Sequence, residues 1–212
     1  MKVWLVIGFG ILLGGLLLVR APDPKPPADA PAASDGYSRN RILQRLVADF
    51  ETRLEDPAAY GRSAVREASA FPEGDLFVFT FPAMAFANLA RRGDMPRERA
   101  LAAMDKLIRL AIPYVAKKVR VADLTRLRSY RRHGTYLGQL AMVLGFWRQL
   151  GGDDRFEPIH ARLATVLSQA LREKKGEPIE SFPGLVWPFD TVPALVALRL
   201  RDSATGENHS EL

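Results

Sequence analysis

The chain has 212 residues with 30 Lys+Arg against 24 Asp+Glu, a formal charge of +6, and 48% hydrophobic residues. That is ordinary for one globular domain carrying an apolar extra. With no cysteine, a disulfide framework, a thiol nucleophile, a zinc-thiolate site and lipid attachment at cysteine are all excluded.

The first element is Val3–Val19, a run of 17 residues without a charge, at the short end of what spans a bilayer. A secretory signal core has the same chemistry at shorter length. The small residue just past the run, Ala21, is followed by Pro22, a poor site for signal peptidase, so residues 1–20 are expected to stay as a transmembrane anchor or uncleaved signal. Lys2 behind so short a tail argues for an inside amino terminus and an exported remainder. Residues 21–36, APDPKPPADAPAASDG, are rich in Pro, Ala and Asp, a composition suited to a spacer and unable to bury a core. The folded part is expected over residues 37–212.

That part reads as all-α, with LFVFTF at 76–81 as its one strand-like run. Three amphipathic outer helices are expected over Arg39–Glu55, Arg97–Val119 and Arg155–Lys174, each with apolar residues at spacings of three and four. Pro113 should kink the second. Between them lie Phe81–Leu89, Tyr136–Leu150 and Thr191–Leu200, apolar nearly all round and therefore expected as inner helices. Gly138, Ala141 and Gly145 fall on one face of the second inner helix, where they either admit a neighbouring backbone or are small by accident.

The inner segments end alike, in NLARRGDMPRE, FWRQLGGDDRFE and ALRLRDSATGE, each reaching basic residues and then a turn containing Gly and Asp. The entrances SAFPEGDLFVFTFP and ESFPGLVWPFD also match in design. Helical hairpins repeated this way build α-solenoids and α/α toroids. On HGTYLGQLAMVLGFWRQLGGDDRF (133–156) and ESFPGLVWPFDTVPALVALRLRDSATG (180–206), the chain resembles the bacterial (α/α) toroid proteins, which include glycan-processing enzymes, sugar epimerases and terpenoid dehydratase-isomerases. The resemblance implies functional side chains near the starts of the inner helices, around Phe79–Phe81, His133–Tyr136 and Trp187–Asp190. The chain departs from that group in length, with about half the inner helices of a closed toroid. A partial toroid or short solenoid, completed by a partner chain or left as an open groove, is the expectation.

Asp190 is either a helix cap or, with Glu180, one of two carboxylates acting as acid and base beside Trp187, on which a sugar ring could stack. His133, just before an inner helix, is either a hydrogen-bonded loop histidine or a general base. From Lys117 to Arg132 the chain holds seven Lys and Arg against Asp123 alone. This is either a solvated face or, through Arg128 and Arg132 four residues apart on a helix, a grip for a carboxylate or phosphate, with Tyr136 alongside. No metal motif, phosphate loop or nucleophile elbow occurs, no cofactor is expected, and nucleic acid is not an expected partner.

The reading is a single-pass protein of a bacterial inner membrane whose C-terminal domain faces the periplasm or exterior. It binds an anionic glycan, a lipid headgroup or a protein partner through Arg128, Arg132, Tyr136 and Trp187. Its alternative is a toroid-type enzyme acting on a glycan with Asp190, Glu180 or His133.

Overall fold

The computed structural model describes residues 39–68, 74–175 and 177–209. Residues before Leu46 belong to a separate unit, of which only 39–45 are described, as the start of helix α1. The anchor and spacer expected over residues 1–36 lie outside the described residues. Among those described, no helix is long and apolar enough to cross a membrane.

The described residues form seven α-helices and no strand: α1 Arg39–Arg53, α2 Pro57–Ala68, α3 Gly74–Arg91, α4 Arg97–Lys118, α5 Gly134–Gln149, α6 Glu157–Glu173 and α7 Pro188–Thr205. Short 3-10 turns stand at Leu124–Arg126 and Asp154–Phe156. The run at 76–81, expected to be strand-like, is helical. Leu76, Phe79, Ala83, Phe86 and Ala87 repeat at spacings of three and four and are all buried. The apolar face therefore runs unbroken through Pro82, where a strand would have had to stop. The first inner helix consequently begins at Gly74 and not Phe81. α2 had no counterpart in the sequence reading, although Asp56 caps it by accepting from the Ala59 amide at 2.9 Å.

α5 is the axis of the unit. Every residue from Gly134 to Trp147 is buried, and α5 packs against α3, α4, α6 and α7. Fully burying Leu137, Leu140 and Leu144 contributes about 1.5–3 kcal/mol per side chain. Two of the three wet-faced helices behave as their pattern requires, while α1 leaves Leu46 of its stripe 54% exposed. α4 buries Met104, Leu107, Ile108, Ala111 and Val115, and α6 buries Leu163, Val166, Leu167 and Leu171. α4 continues across Pro113 as one helix.

The most extensive contact is between α5 and α7, and small residues make it close. A Cβ on Gly138 would stand 3.0 Å from the Ala194 amide nitrogen, and one on Gly145 would stand 2.8 Å from the Leu200 Cβ. These two glycines of the expected small-residue face thus mark where α7 presses on α5. At its far end α7 stops at Gly206, in the left-handed region (φ 75°) that favours glycine. The tail then folds back: the His209 amide donates to the Asp202 carboxylate, and the Ser168 hydroxyl of α6 donates to the His209 carbonyl.

Candidate functional site

Three inner-helix starts supply one group of side chains: Asp75 in the first turn of α3, His133 to Tyr136 at α5, and Trp187 to Asp190 at α7. A helix start leaves backbone N–H groups without partners. At α5 no side chain caps them. Instead the Gly134 amide donates to the Glu180 carbonyl at 2.8 Å and the Thr135 amide reaches the Ser181 carbonyl at 3.5 Å. The approach is tight, since a Cβ on Gly134 would lie 2.7 Å from that Glu180 oxygen.

The 179–187 segment that covers α5 is pinned along its length. The Ile179 amide donates to the Thr191 hydroxyl at 3.2 Å, and the Trp187 amide donates to the Ser181 hydroxyl at 2.9 Å. A turn through Gly184 (φ 83°) is closed by Leu185 donating to the Phe182 carbonyl and Ser181 donating to the Leu185 carbonyl, each at 2.9 Å. This tethered turn carries Leu185 (52% exposed), Val186 (47%) and Trp187 (43%). Apolar side chains held outward in a row by a satisfied backbone are not the product of a loose loop.

Asp190 does not cap α7. The N-cap is Trp187, without a side-chain cap bond, and Asp190 lies in the first turn, where a carboxylate suits the helix dipole. Its Oδ2 accepts from the Thr135 hydroxyl at 2.6 Å, so the carboxylate ties the start of α7 to the start of α5. Glu180 forms an ion pair with Arg132. Hydrogen bonding to that guanidinium holds the Glu180 carboxyl below its ordinary value, the opposite of what a general acid needs.

The Arg128–Arg132 pair is not arranged as expected. From Leu124 the chain makes a 3-10 turn and then irregular backbone, with Arg131 and Arg132 both at positive φ (53° and 60°). The physical reason is that Leu124 and Leu127 are both fully buried, and the 3-10 turn they bracket packs against α6. Asp123 caps that turn by accepting from the Thr125 amide at 2.8 Å. Two anchored leucines three residues apart leave Arg128 and Arg132 on separate parts of an exposed loop.

His133, Tyr136, Phe182 and Trp187 form a chain of edge-on and tilted rings with centroids 5.5–5.9 Å apart, from His133 to Tyr136, Tyr136 to Phe182 and Phe182 to Trp187. At its inner end Lys118 Nζ lies 5.5 Å from the Tyr136 ring and 5.2 Å from Tyr114, and pairs with Asp75 Oδ2 at 2.7 Å. Burial opposes the charged form of Lys118, but hydrogen bonds to Asp75 and Tyr136, with their charges, outweigh it and hold the ammonium above its ordinary value. Burial, then the charges of Arg120 and Lys118, push His133 below its ordinary value, so its ring is neutral at neutral pH. Asp75 Oδ1 and His133 Nδ1 are buried without a hydrogen-bond partner among the described residues.

The structure thus gathers His133, Tyr136, Glu180, Trp187, Asp190 and Arg132 at one end of the α5–α7 pair and leaves Arg128 on the adjoining loop. Sequence reasoning missed Asp75, which stands just before the strand-like run, and Phe182, which joins His133 to Trp187. No group of three or more potential metal ligands occurs among the described residues. A groove of about 570 Å³ is lined by Phe50, Tyr60, Phe77 and Phe81, so it touches the expected Phe79–Phe81 neighbourhood but none of the residues gathered at the α5–α7 end. No protein-family model matches the chain, and no curated protein or solved structure is detectably similar to it.

Proposed function

We propose that this chain is a membrane-anchored, extracytoplasmic helical domain that binds an anionic ligand of the cell envelope, a glycan or a lipid headgroup, at the end where α5 and α7 begin. The inner and outer helices are then a partial toroid or short solenoid used as a rigid support. The observation that carries this reading is the meeting, at one end, of an outward apolar turn with exposed arginines. Arg120, Arg128 and Arg131 are exposed and form no ion pair among the described residues, whereas Arg132 is tied to Glu180. Unpaired guanidinium groups are the ones available to carboxylate or phosphate.

The test is a titration of the full chain in zwitterionic micelles with glycerophosphate and with a uronate oligosaccharide, followed through arginine side-chain and tryptophan indole NMR signals. Shifts at Arg120, Arg128, Arg131 and Trp187 are expected. No movement with either compound contradicts the reading.

A second reading, a toroid-type enzyme using general acid/base chemistry on a glycan, draws support from His133: a neutral imidazole with an unpartnered Nδ1 beside the Tyr136 and Phe182 rings suits a base. Glu180 and Asp190 suit it less, because each is engaged by a neighbour. Turnover of any envelope glycan that disappears in His133→Ala while binding persists would favour this reading.

A further inference from the structure

We propose that the anionic ligand is the bilayer surface itself, and that the turn Leu185–Trp187 inserts into it while the arginines beside the turn meet lipid phosphates. This rests on the binding reading above and names its ligand class.

The first observation is the chemistry of the exposed tip. Leu185, Val186 and Trp187 stand outward in sequence, each between 43% and 52% exposed. Trp is a side chain suited to the membrane–water interface, with an apolar body and one polar N–H. Four hydrogen bonds hold the turn: Ser181 N to the Leu185 carbonyl, Leu185 N to the Phe182 carbonyl, Trp187 N to the Ser181 hydroxyl and Ile179 N to Thr191. The apolar side chains therefore cannot fold inward without breaking that frame, and the ordering entropy of an insertion loop is already spent.

The second observation is the charge around the tip. The bond from the Gly134 amide to the Glu180 carbonyl draws the 131–134 segment against the turn's base. Arg131 lies there, exposed, next to Arg132 on Glu180. Arg120 approaches the same place from the end of α4, close enough to His133 to disfavour its protonation. Lys174 approaches from the end of α6, with its charge acting on Glu180. Of the nearby carboxylates, Glu180 is ion-paired with Arg132 and Asp75 with Lys118, while Asp190 accepts from the Thr135 hydroxyl. What faces outward is apolar in the middle and cationic at the edge, the arrangement that anionic lipid recognises.

A glycan site would instead present carboxylate or amide groups beside the aromatic ring to take up sugar hydroxyls. Here the carboxylates nearest Trp187 already have partners. The sequence adds a reason for a bilayer to be at hand, since the uncharged run Val3–Val19 precedes the domain, separated from it by the Pro/Ala-rich stretch.

The chain has no cysteine, so one introduced thiol reports on one position. Val186→Cys, and as a control Ser203→Cys near the other end of α7, are labelled in the full chain with an environment-sensitive fluorophore. Each is then mixed with vesicles of phosphatidylcholine alone and of phosphatidylcholine with phosphatidylglycerol. Both positions are exposed, and an unchanged melting temperature confirms that the label leaves the fold intact.

The expected result is a blue shift and lipid-phase quenching at residue 186 with the anionic vesicles only. Residue 203 should stay aqueous, and Arg120→Gln/Arg128→Gln/Arg131→Gln should weaken the response at least tenfold. A label at 186 that enters both vesicle types equally overturns the role of the arginines, and a label that stays aqueous in both overturns the insertion. The glycerophosphate titration then separates the two readings. Shifts at Arg120 and Arg131 without insertion leave anion binding standing and remove the bilayer as its ligand. The absence of both removes both.

Discussion

The two ends of α7 are both rich in charge and use it in opposite ways. At the carboxyl end Arg201 is buried (side chain 5% exposed) and pairs with Glu157 and Glu207, while Asp202, whose side chain is 6% exposed, accepts from the His209 amide. At the amino end the guanidinium of Arg132 is 58% exposed on Glu180, and Arg120, Arg128 and Arg131 have no ion-pair partner among the described residues. A buried charge must be paired because desolvation is expensive, whereas an exposed one is held by water at little cost. The first end therefore does structural work. The second keeps its cations free, which is what recognition of an anion requires.

The largest expected effect breaks the closed end. Arg201→Ala leaves Glu157 facing a buried gap and should cost about 2–4 kcal/mol, below the top of the range for a fully buried pair because Glu157 and Glu207 remain partly exposed. A urea titration measures it. Arg132→Ala at the open end should leave the urea midpoint close to that of the parent, and equal losses at the two ends would erase the distinction.

A second effect comes from His160 on α6, 2% exposed, with neither ring nitrogen partnered among the described residues. Burial, and then the charges of Arg201 and Arg148, push it down to about 4 from 6.5. The neutral ring is the folded form, so the unfolded chain takes up the proton first. Stability from this group is complete above about pH 6.5 and falls as pH drops toward about 4, by something on the order of 3 kcal/mol. Melting temperature against pH should show that loss, and His160→Leu should flatten it over this window. An unchanged slope in the variant would assign the acid sensitivity to other groups.

A smaller effect should follow Asp190→Ala, which removes the acceptor for the Thr135 hydroxyl. A hydrogen bond to a charged group contributes about 1.5–3 kcal/mol, but Asp190 is only partly buried and Thr135 lies 3.3 Å from the Ser181 carbonyl as a substitute acceptor, so about 1 kcal/mol is expected by thermal unfolding. The smallest stability effect is that of Arg120→Gln/Arg128→Gln/Arg131→Gln, within about 0.5 kcal/mol as for surface changes generally, with anion binding lost.

The amphipathic helices were legible because α4 and α6 bury one stripe each, and α5 because almost nothing in it is polar. Gly138 and Gly145 were legible as small residues on one face, with close packing as one of two readings, and α7 as the neighbour was not legible. The strand-like run at 76–81 misled because six residues can fit either period, and only the continuation through Phe86 and Ala87 decides. The Arg128–Arg132 geometry was hidden for a related reason. A spacing of four means one helical face only where the backbone is helical, and the burial of Leu124 and Leu127 is a tertiary fact. The partners of Asp190 and Glu180 lie 55 and 48 residues away in sequence, beyond any local pattern.

The measurement closest to the central claim is the salt dependence of binding to phosphatidylglycerol-containing vesicles by the full chain and by its Arg120→Gln/Arg128→Gln/Arg131→Gln variant, both carrying the same amino-terminal segment. If the open end holds anions, the parent's advantage over the variant is at least tenfold at low salt and shrinks as salt screens the arginines. Equal binding by the two chains at every salt concentration would contradict the account and leave those arginines as a solvated face.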